Sequence, residues 1–241
     1  MNKLKKFTSI AAFGDCSFAG CEIPIENSPS FIDVFSGKIS IPEVDNLTKP
    51  FSFPNLLAKK LNVPCYNFAM SGTGHKRGLR KLTNTINELD NCLILFALTH
   101  CFEQEFYRPD MQGMFGVDDT GFLSLGLHWE DMPYAERTTE LNKIYLDNLL
   151  TSVYNNLNET CMLVESLCHY NNLDVIHIPV IEYATTNFQP KHLFNFDNHN
   201  FMLNWCNHEK FAYTEFGHYE AKMHTQLAEM LFQYINERQI Y

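Results

Sequence analysis

Three short segments of the chain carry the residue types that acyl-transfer chemistry uses, and the first of them follows the first apolar run. There, Asp15 precedes a thiol at Cys16 and a hydroxyl at Ser17. A nucleophile in such a turn lies near backbone N–H groups, which can hold an oxyanion or lower a thiol pKa. The alternative is a turn with a buried cysteine and a capping serine, and this segment alone favours that alternative.

The second segment, Asn67–Gly74, runs from a short apolar stretch into the glycine turn Ser71–Gly74. A turn of this kind can present a backbone N–H group to an anion. It matches neither a G-x-G-x-x-G motif nor a phosphate-binding loop, so nucleotide binding is poorly supported. Taken alone, the segment is better interpreted as a structural turn.

The third segment places Glu215 three residues before His218, ahead of the final helical pattern. A carboxylate at this spacing can orient the imidazole and stabilise its protonated form. The alternative is a helix cap at Thr214 or Glu215, with His218 an ordinary helical residue. His218 and His224 are a poor pair of ligands on one helical face, so the sequence predicts no metal site.

The elements between these segments alternate short apolar runs with helical spacing. Strands are predicted at Ser9–Phe13, Cys65–Ala69, Cys92–Leu98 and Leu173–Val180. Helices are predicted from Ser52, over Leu79–Leu89, at about Tyr134–Asn156 and Glu159–Tyr170, and over Tyr219–Glu237. This order predicts a single α/β domain over residues 1–241: a three-layer αβα fold with a flavodoxin-like parallel sheet of about five strands and helices on both faces.

The functional site is expected at the carboxyl ends of these strands, where such folds bind their ligands. Asp15, Thr99 and His100 follow strands and are candidates for contact with substrate, although Thr99 and His100 could also cap a following helix. Residues 99–134 are rich in glycine and are expected to form an insertion or lid. Cys21–Pro50 and residues 182–212 show no steady period and are expected to be loops.

Composition excludes several classes of protein. Hydrophobic residues make up 45% and charged residues 19% of the 241 residues, which rules out wholesale disorder. A formal net charge of −10 repels phosphate backbones, so nucleic acid is not an expected partner. No apolar run is long enough for a membrane span or a signal-peptide core. The eight cysteines contain no C-x-x-C pair, and we expect a protein kept in the reducing cytoplasm without a metal or other cofactor.

Together the three segments resemble a known set of blocks. Gly14-Asp15-Cys16 with Gly20 resembles a Gly-Asp-Ser block, Asn67–Gly72 matches an Asn-x-Ala-x-x-Gly block, and Glu215–His218 resembles an Asp-x-x-His block. In this order the chain is similar to the SGNH (GDSL-type) hydrolase superfamily, particularly its divergent members from tailed-phage genomes. The blocks span nearly the whole chain, although each one is short.

The resemblance implies an esterase, or an acyltransferase or carbohydrate deacetylase, acting on a small ester or an acylated carbohydrate. Cys16 or Ser17 would attack the acyl carbonyl, and His218, oriented by Glu215, would transfer the proton. The oxyanion would be held by the N–H groups of the nucleophile and Gly72.

Two departures from the family pattern leave a second function open. Cys16 occupies the position of the serine nucleophile, with Ser17 one place later. The third block lacks its asparagine, for which the Thr99 hydroxyl or His100 would substitute. The alternative is therefore a catalytically silent module of the same fold that binds a glycan or a protein partner, for example in a virus particle or during infection. A flavodoxin-like nucleotide binder shares the fold but would need a phosphate loop.

Overall fold

The strands of the central sheet are short and parallel, so their carboxyl ends lie at the same edge of the fold. The computed structural model describes residues 7–21, 23, 39–99, 104–107, 122–125, 149–180, 189–196, 199–212 and 219–240. Numbered along the chain, the strands are β1 (Ser9–Phe13), β2 (Cys65–Asn67), β3 (Cys92–Leu98), β4 (Gln104–Tyr107), β5 (Phe122–Leu125) and β6 (Asp174–Pro179). Four of them form a parallel sheet in the order β2-β1-β3-β6, while β4 and β5 form a separate antiparallel pair.

Helices cover both faces of this parallel sheet. They are α1 (Cys16–Ala19), α2 (Ile41–Thr48), α3 (Phe53–Leu61), α4 (His75–Thr85), α5 (Leu149–Tyr170), α6 (Met202–Glu209) and α7 (Ala221–Arg238). Short 3-10 helices follow α2 at Lys49–Phe51 and α4 at Ile86–Glu88. No helix in the described ranges is both long and apolar enough to cross a membrane.

Alternation along the strands explains the two helical layers. Ile10 and Leu95 belong to an apolar cluster with residues of α3, α6 and α7, whereas Ala11 and Phe96 belong to a second cluster with α4 and α5. Successive side chains of a strand point to opposite faces, so a strand covered on both faces must be apolar throughout. All seven residues of β3 are buried, as this requires. The predicted three-layer αβα fold is confirmed.

The predicted number of strands is wrong by one, because among the described residues the main sheet has four strands where about five were expected. Beyond β6 the chain forms a single parallel bridge between His177 and Leu193. The amide of His177 donates to the carbonyl of His192 (2.9 Å), and the amide of Phe194 donates to the carbonyl of His177 (2.9 Å). Among the described residues, the contact at this edge of β6 is one bridge, which is too short to form a strand.

Two predicted loops contain helices. The first helix is α2, which lies within the expected loop Cys21–Pro50 and begins with a capping box formed by Ser40 and Glu43. Among the residues of α2 whose burial is described, Val44, Asp45 and Thr48 are buried, and two of these three are polar. The sequence of α2 therefore shows no clear apolar period, although one face of the helix is buried.

The second unexpected helix is α6, within residues 182–212. Its buried residues Met202, Trp205 and Cys206 have helical spacing, but its eight residues extend little beyond two turns. In contrast, the break predicted between two helices near Asn158 does not exist, because α5 is continuous from Leu149 to Tyr170. Residues 131–148, which hold the start of the earlier predicted helix, lie outside the described residues, as does most of the predicted insertion at 99–134.

Candidate functional site

The turn after β1 places the two predicted nucleophiles at the start of α1. Asp15 caps this helix: its Oδ1 accepts a hydrogen bond from the amide of Ser17 (2.9 Å). Cys16 and Ser17 are both partly exposed, while Asp15 is buried. A short polar side chain at the cap is the usual way to satisfy a first-turn amide. The turn therefore presents a thiol and a hydroxyl side by side above the end of β1.

Gly14 allows α1 to lie close to the sheet. A Cβ atom at this position would lie 2.6 Å from Cγ of Phe18 and 2.9 Å from Cβ of Ala97, both too close for a real contact. The ring of Phe18 is fully buried and packs edge-on against Phe53, with 4.7 Å between ring centroids. The glycine of the first block is thus required by packing, and it fixes the height of α1 above β3.

Two hydrogen bonds join the turn after β2 to the turn after β1. The side-chain amide of Asn67 donates to the carbonyl of Phe18 (2.9 Å), and the amide of Met70 donates to the carbonyl of Gly14 (3.1 Å). Gly72 has φ +73°, a conformation that glycine adopts without steric cost. The Asn and Gly of the second block therefore have clear structural roles next to the first block.

Thr99 follows β3 and completes this edge of the site. Its hydroxyl donates to Oδ2 of Asp15, and its carbonyl accepts from Nδ1 of His75 (2.9 Å). All three residues are buried. A hydroxyl has a single proton to donate. Since that proton is directed at Asp15, the predicted role of Thr99 as an oxyanion donor stays a prediction that requires this bond to exchange.

Phe53 connects α7 to α1, because it contacts a residue of each helix. Nδ1 of His224, in the first turn of α7, accepts a hydrogen bond from the amide of Phe53 (3.3 Å). Phe53 in turn packs against Phe18 of α1. Tyr219, which is buried, precedes α7. His224 itself is buried and has this structural role.

Of the predicted site residues, the structure brings five to one edge of the sheet: Asp15, Cys16, Ser17, Gly72 and Thr99. Glu215, His218 and His100 lie outside the described residues, so their assignment stays a prediction.

Two buried polar residues at this edge were not singled out from the sequence. Asp45 of α2 accepts hydrogen bonds from both the amide (2.9 Å) and the hydroxyl (2.6 Å) of Ser71. His75, the first residue of α4, binds the carbonyl of Thr99. The position of His75 directly after the glycine turn was a sequence signal that could have placed it at this edge. Asp45 lies in a segment without apolar period, and nothing in its neighbourhood pointed to the turn at Ser71.

Four cysteines of the sheet and its covering helices, called the core cysteines below, have thiols with raised pKa values. Burial raises the pKa of the thiols of Cys65, Cys168 and Cys206 to about 12, and that of Cys92 to about 11. Such thiols stay protonated at neutral pH and are poor nucleophiles. The core cysteines thus have the chemistry of small apolar residues.

A second cluster of polar groups lies away from this edge. Nδ1 of His177, on β6, lies 3.5 Å from Sγ of Cys161, and its Nε2 lies 3.4 Å from a carboxylate oxygen of Glu165. His177 and Cys161 are fully buried, so no substrate can reach them. In the ranges that the structure describes, no group of three or more His, Cys, Asp or Glu residues is arranged to hold a metal ion.

Comparison with known proteins gives no further identification. No protein-family model matches the chain, and no curated protein matches it. The fold and the geometry at the carboxyl ends of the strands therefore remain the basis for inferring the class of protein.

Proposed function

We propose that the protein is an ester hydrolase of the SGNH type, acting on a small ester or an acylated carbohydrate. One observation carries the proposal. The turn with Cys16 and Ser17, the turn with Gly72 and the residue Thr99 follow three adjacent parallel strands and are joined by hydrogen bonds. The first two blocks that the sequence resemblance assigned to one active site, with Thr99, are thus neighbours at the edge where α/β folds bind ligands.

The position of α7 supports a role for His218. His218 immediately precedes the buried Tyr219, and the first turn of α7 contacts Phe53, which packs on α1. The first turn of α7 therefore lies near the nucleophile turn. A general base for that turn is expected in the segment that leads into α7, where His218 lies in the sequence.

Cys16 is favoured over Ser17 as the nucleophile. In the proposed mechanism the N–H group of the nucleophilic residue donates to the oxyanion. The N–H group of Ser17 donates to Asp15, so Ser17 as the nucleophile would have to break this bond to serve the oxyanion. A thiolate is also an effective acyl acceptor once a histidine lowers its pKa.

The proposed reaction has two steps. His218 takes the proton of the Cys16 thiol, the sulfur attacks the ester carbonyl, and the alcohol leaves with the proton that His218 returns. Water, deprotonated by His218, then cleaves the thioester to release the acid and restore the thiol. Glu215 orients His218, and the N–H groups of Cys16 and Gly72 hold the oxyanion in both steps. The proposal includes a cytoplasmic location, because reducing surroundings preserve a reactive thiol.

The test is hydrolysis of p-nitrophenyl acetate by the purified protein and its variants. We expect Cys16→Ala and His218→Ala to lower kcat/KM by at least about 10³-fold, while Ser17→Ala retains most of the activity. Cys65→Ala, Ser166→Ala and His169→Ala are matched controls, because these residues lie away from the site. Equal activity of His218→Ala and the unaltered protein would contradict the mechanism.

A second function is favoured by the Thr99 hydroxyl. Since its proton is directed at the Asp15 carboxylate, the third block provides no side-chain donor for an oxyanion in this conformation. Losing one such donor costs about 10²–10³ in rate in other enzymes. The alternative proposal is a silent module that binds a glycan or a protein. Folded protein that hydrolyses no ester but retains a glycan or protein partner in a binding screen would favour it.

A further inference from the structure

A buried carboxylate on α2 holds the turn that contains Gly72. Asp45 has no exposed surface, and its two carboxylate oxygens accept hydrogen bonds from the amide and the hydroxyl of Ser71. We infer that Asp45 is a positioning residue of the site, which orients the N–H group of Gly72 by holding the residue before it. This inference rests on the proposed function, in which that N–H group is an oxyanion donor.

The geometry of the pair explains why the carboxylate would control orientation. One hydrogen bond fixes the backbone of Ser71 and the other fixes its side chain, so rotation about its Cα is restricted. The peptide unit that carries the Gly72 N–H group extends directly from this Cα. A donor must point at the developing oxyanion to stabilise it, and small displacements of such groups are costly.

The rest of the turn is held by other contacts. The hydroxyl of Thr73 donates to the carbonyl of Met70 (2.8 Å), and Arg77 donates to the carbonyl of Phe68 (2.8 Å). The amide of Met70 donates to Gly14. None of these hydrogen bonds involves Asp45, although the charge of Arg77 acts on its carboxyl. Loss of Asp45 is therefore expected to disturb Ser71 and Gly72 more than the remainder of the segment.

The burial of the Asp45 carboxylate is unfavourable for the stability of the folded protein. Burial raises the pKa of its carboxyl, and the hydrogen bonds from Ser71 with the charges of Lys49 and Arg77 act in the opposite direction. A buried carboxylate is generally less favourable than an apolar side chain of similar size. Asp45 therefore holds the turn in a defined geometry, although its burial lowers the free energy of unfolding.

The experiment compares steady-state kinetics of the full-length chain and its variants on p-nitrophenyl acetate. In Asp45→Asn the carbonyl oxygen can accept one of the two bonds, but the amide nitrogen cannot accept the other. Ser71→Ala removes only the hydroxyl bond, so it provides a folded variant even if Asp45→Asn is unstable. Asp174→Asn is the matched control, because Asp174 pairs with the exposed Lys191 at the start of β6.

We expect Asp45→Asn and Ser71→Ala to lower kcat by about 10-fold to 10²-fold with KM within about twofold, since the oxyanion exists only in the transition state. Amide hydrogen exchange should be faster at Ser71 and Gly72 and unchanged in α4. Folded variants with unchanged kcat would overturn this inference alone, provided that His218→Ala is inactive. If the unaltered protein hydrolyses no ester, or if His218→Ala is fully active, the proposed function fails and this inference fails with it.

Discussion

Asp15 makes two contacts that give the turn after β1 its shape. One carboxylate oxygen accepts from the amide of Ser17 and the other from the hydroxyl of Thr99. The same residue thus orients the start of α1 and ties it to the end of β3. The Gly-Asp pair of the first block therefore has a structural role, because the Asp15 carboxylate shapes the turn.

A residue-scale prediction concerns the reactivity of Cys16. We expect iodoacetamide at pH 7 to alkylate Cys16 at least about tenfold faster than the core cysteines, because burial raises the pKa of Cys65, Cys92, Cys168 and Cys206 to about 11–12. Peptide mass mapping over time measures each site. In Cys16→Ser the fast phase should disappear. Labelling of Cys16 no faster than that of Cys65 would favour the silent module.

At the scale of elements, the site depends on how closely α1 approaches β3. A Cβ atom at position 14 would block this approach, and Gly14 has none. By comparison, a Cβ at Gly78 of α4 would lie 3.3 Å from the ring edge of Phe96 and 3.7 Å from Cβ of Phe13, which are much looser contacts. These two glycines therefore offer a matched pair for testing the packing of α1.

We expect Gly14→Ala to lower the free energy of unfolding by about 1–3 kcal/mol, because the added methyl group overpacks a filled core. Gly78→Ala should change it by less than about 1 kcal/mol, since the gain in helix propensity offsets the tight contact. Urea denaturation followed by circular dichroism measures both. A Gly14→Ala variant as stable as Gly78→Ala would show that α1 can move away from the sheet.

The elements that the sequence predicted well are those with a clear apolar period. The strand Cys92–Leu98 was predicted with its observed bounds, because a run of seven apolar residues has few alternatives. In contrast, α2 was missed because Asp45 and Thr48 occupy inner positions where a helix normally has apolar residues. The missed helix supplies the carboxylate that holds Ser71. The apolar pattern thus failed to predict a helix in which a buried polar side chain has a structural role.

For the candidate site, local blocks were more predictable than long-range contacts. Asp15, Cys16 and Gly72 could be placed at one edge because each follows a predicted parallel strand. The bond between Asp45 and Ser71 joins residues 26 positions apart. Such pairs depend on the packing of α2 against the turn, which no local spacing in the chain encodes.

At the scale of the whole molecule, His177 links the sheet to both α5 and the segment beyond β6. Its ring is fully buried between Cys161 and Glu165, and its backbone pairs with residues 192 and 194. Burial lowers the pKa of His177, although the adjacent Glu165 acts in the opposite direction. The folded state therefore holds this histidine in its neutral form.

The consequence is a loss of stability in acid. Because the folded pKa of His177 lies below that of the unfolded chain, the unfolded state binds more protons as the pH falls below about 6.5. We expect the Tm to fall between pH 7 and pH 5, and to fall less in His177→Gln. The exposed His169→Gln is the control. An identical decline in all three proteins would exclude His177 as the origin.

The contact between Phe53 and His224 has a consequence for synthesis of the protein. β1 is central in the sheet and is made early, and α3 packs against the sheet and α1 as well as against α7, which is the last described helix to be made. While the ribosome is still translating the region before α7, the part of the apolar surface of α3 that α7 covers is exposed. A nascent chain of this protein must therefore keep that surface from aggregating until its last described helix has emerged.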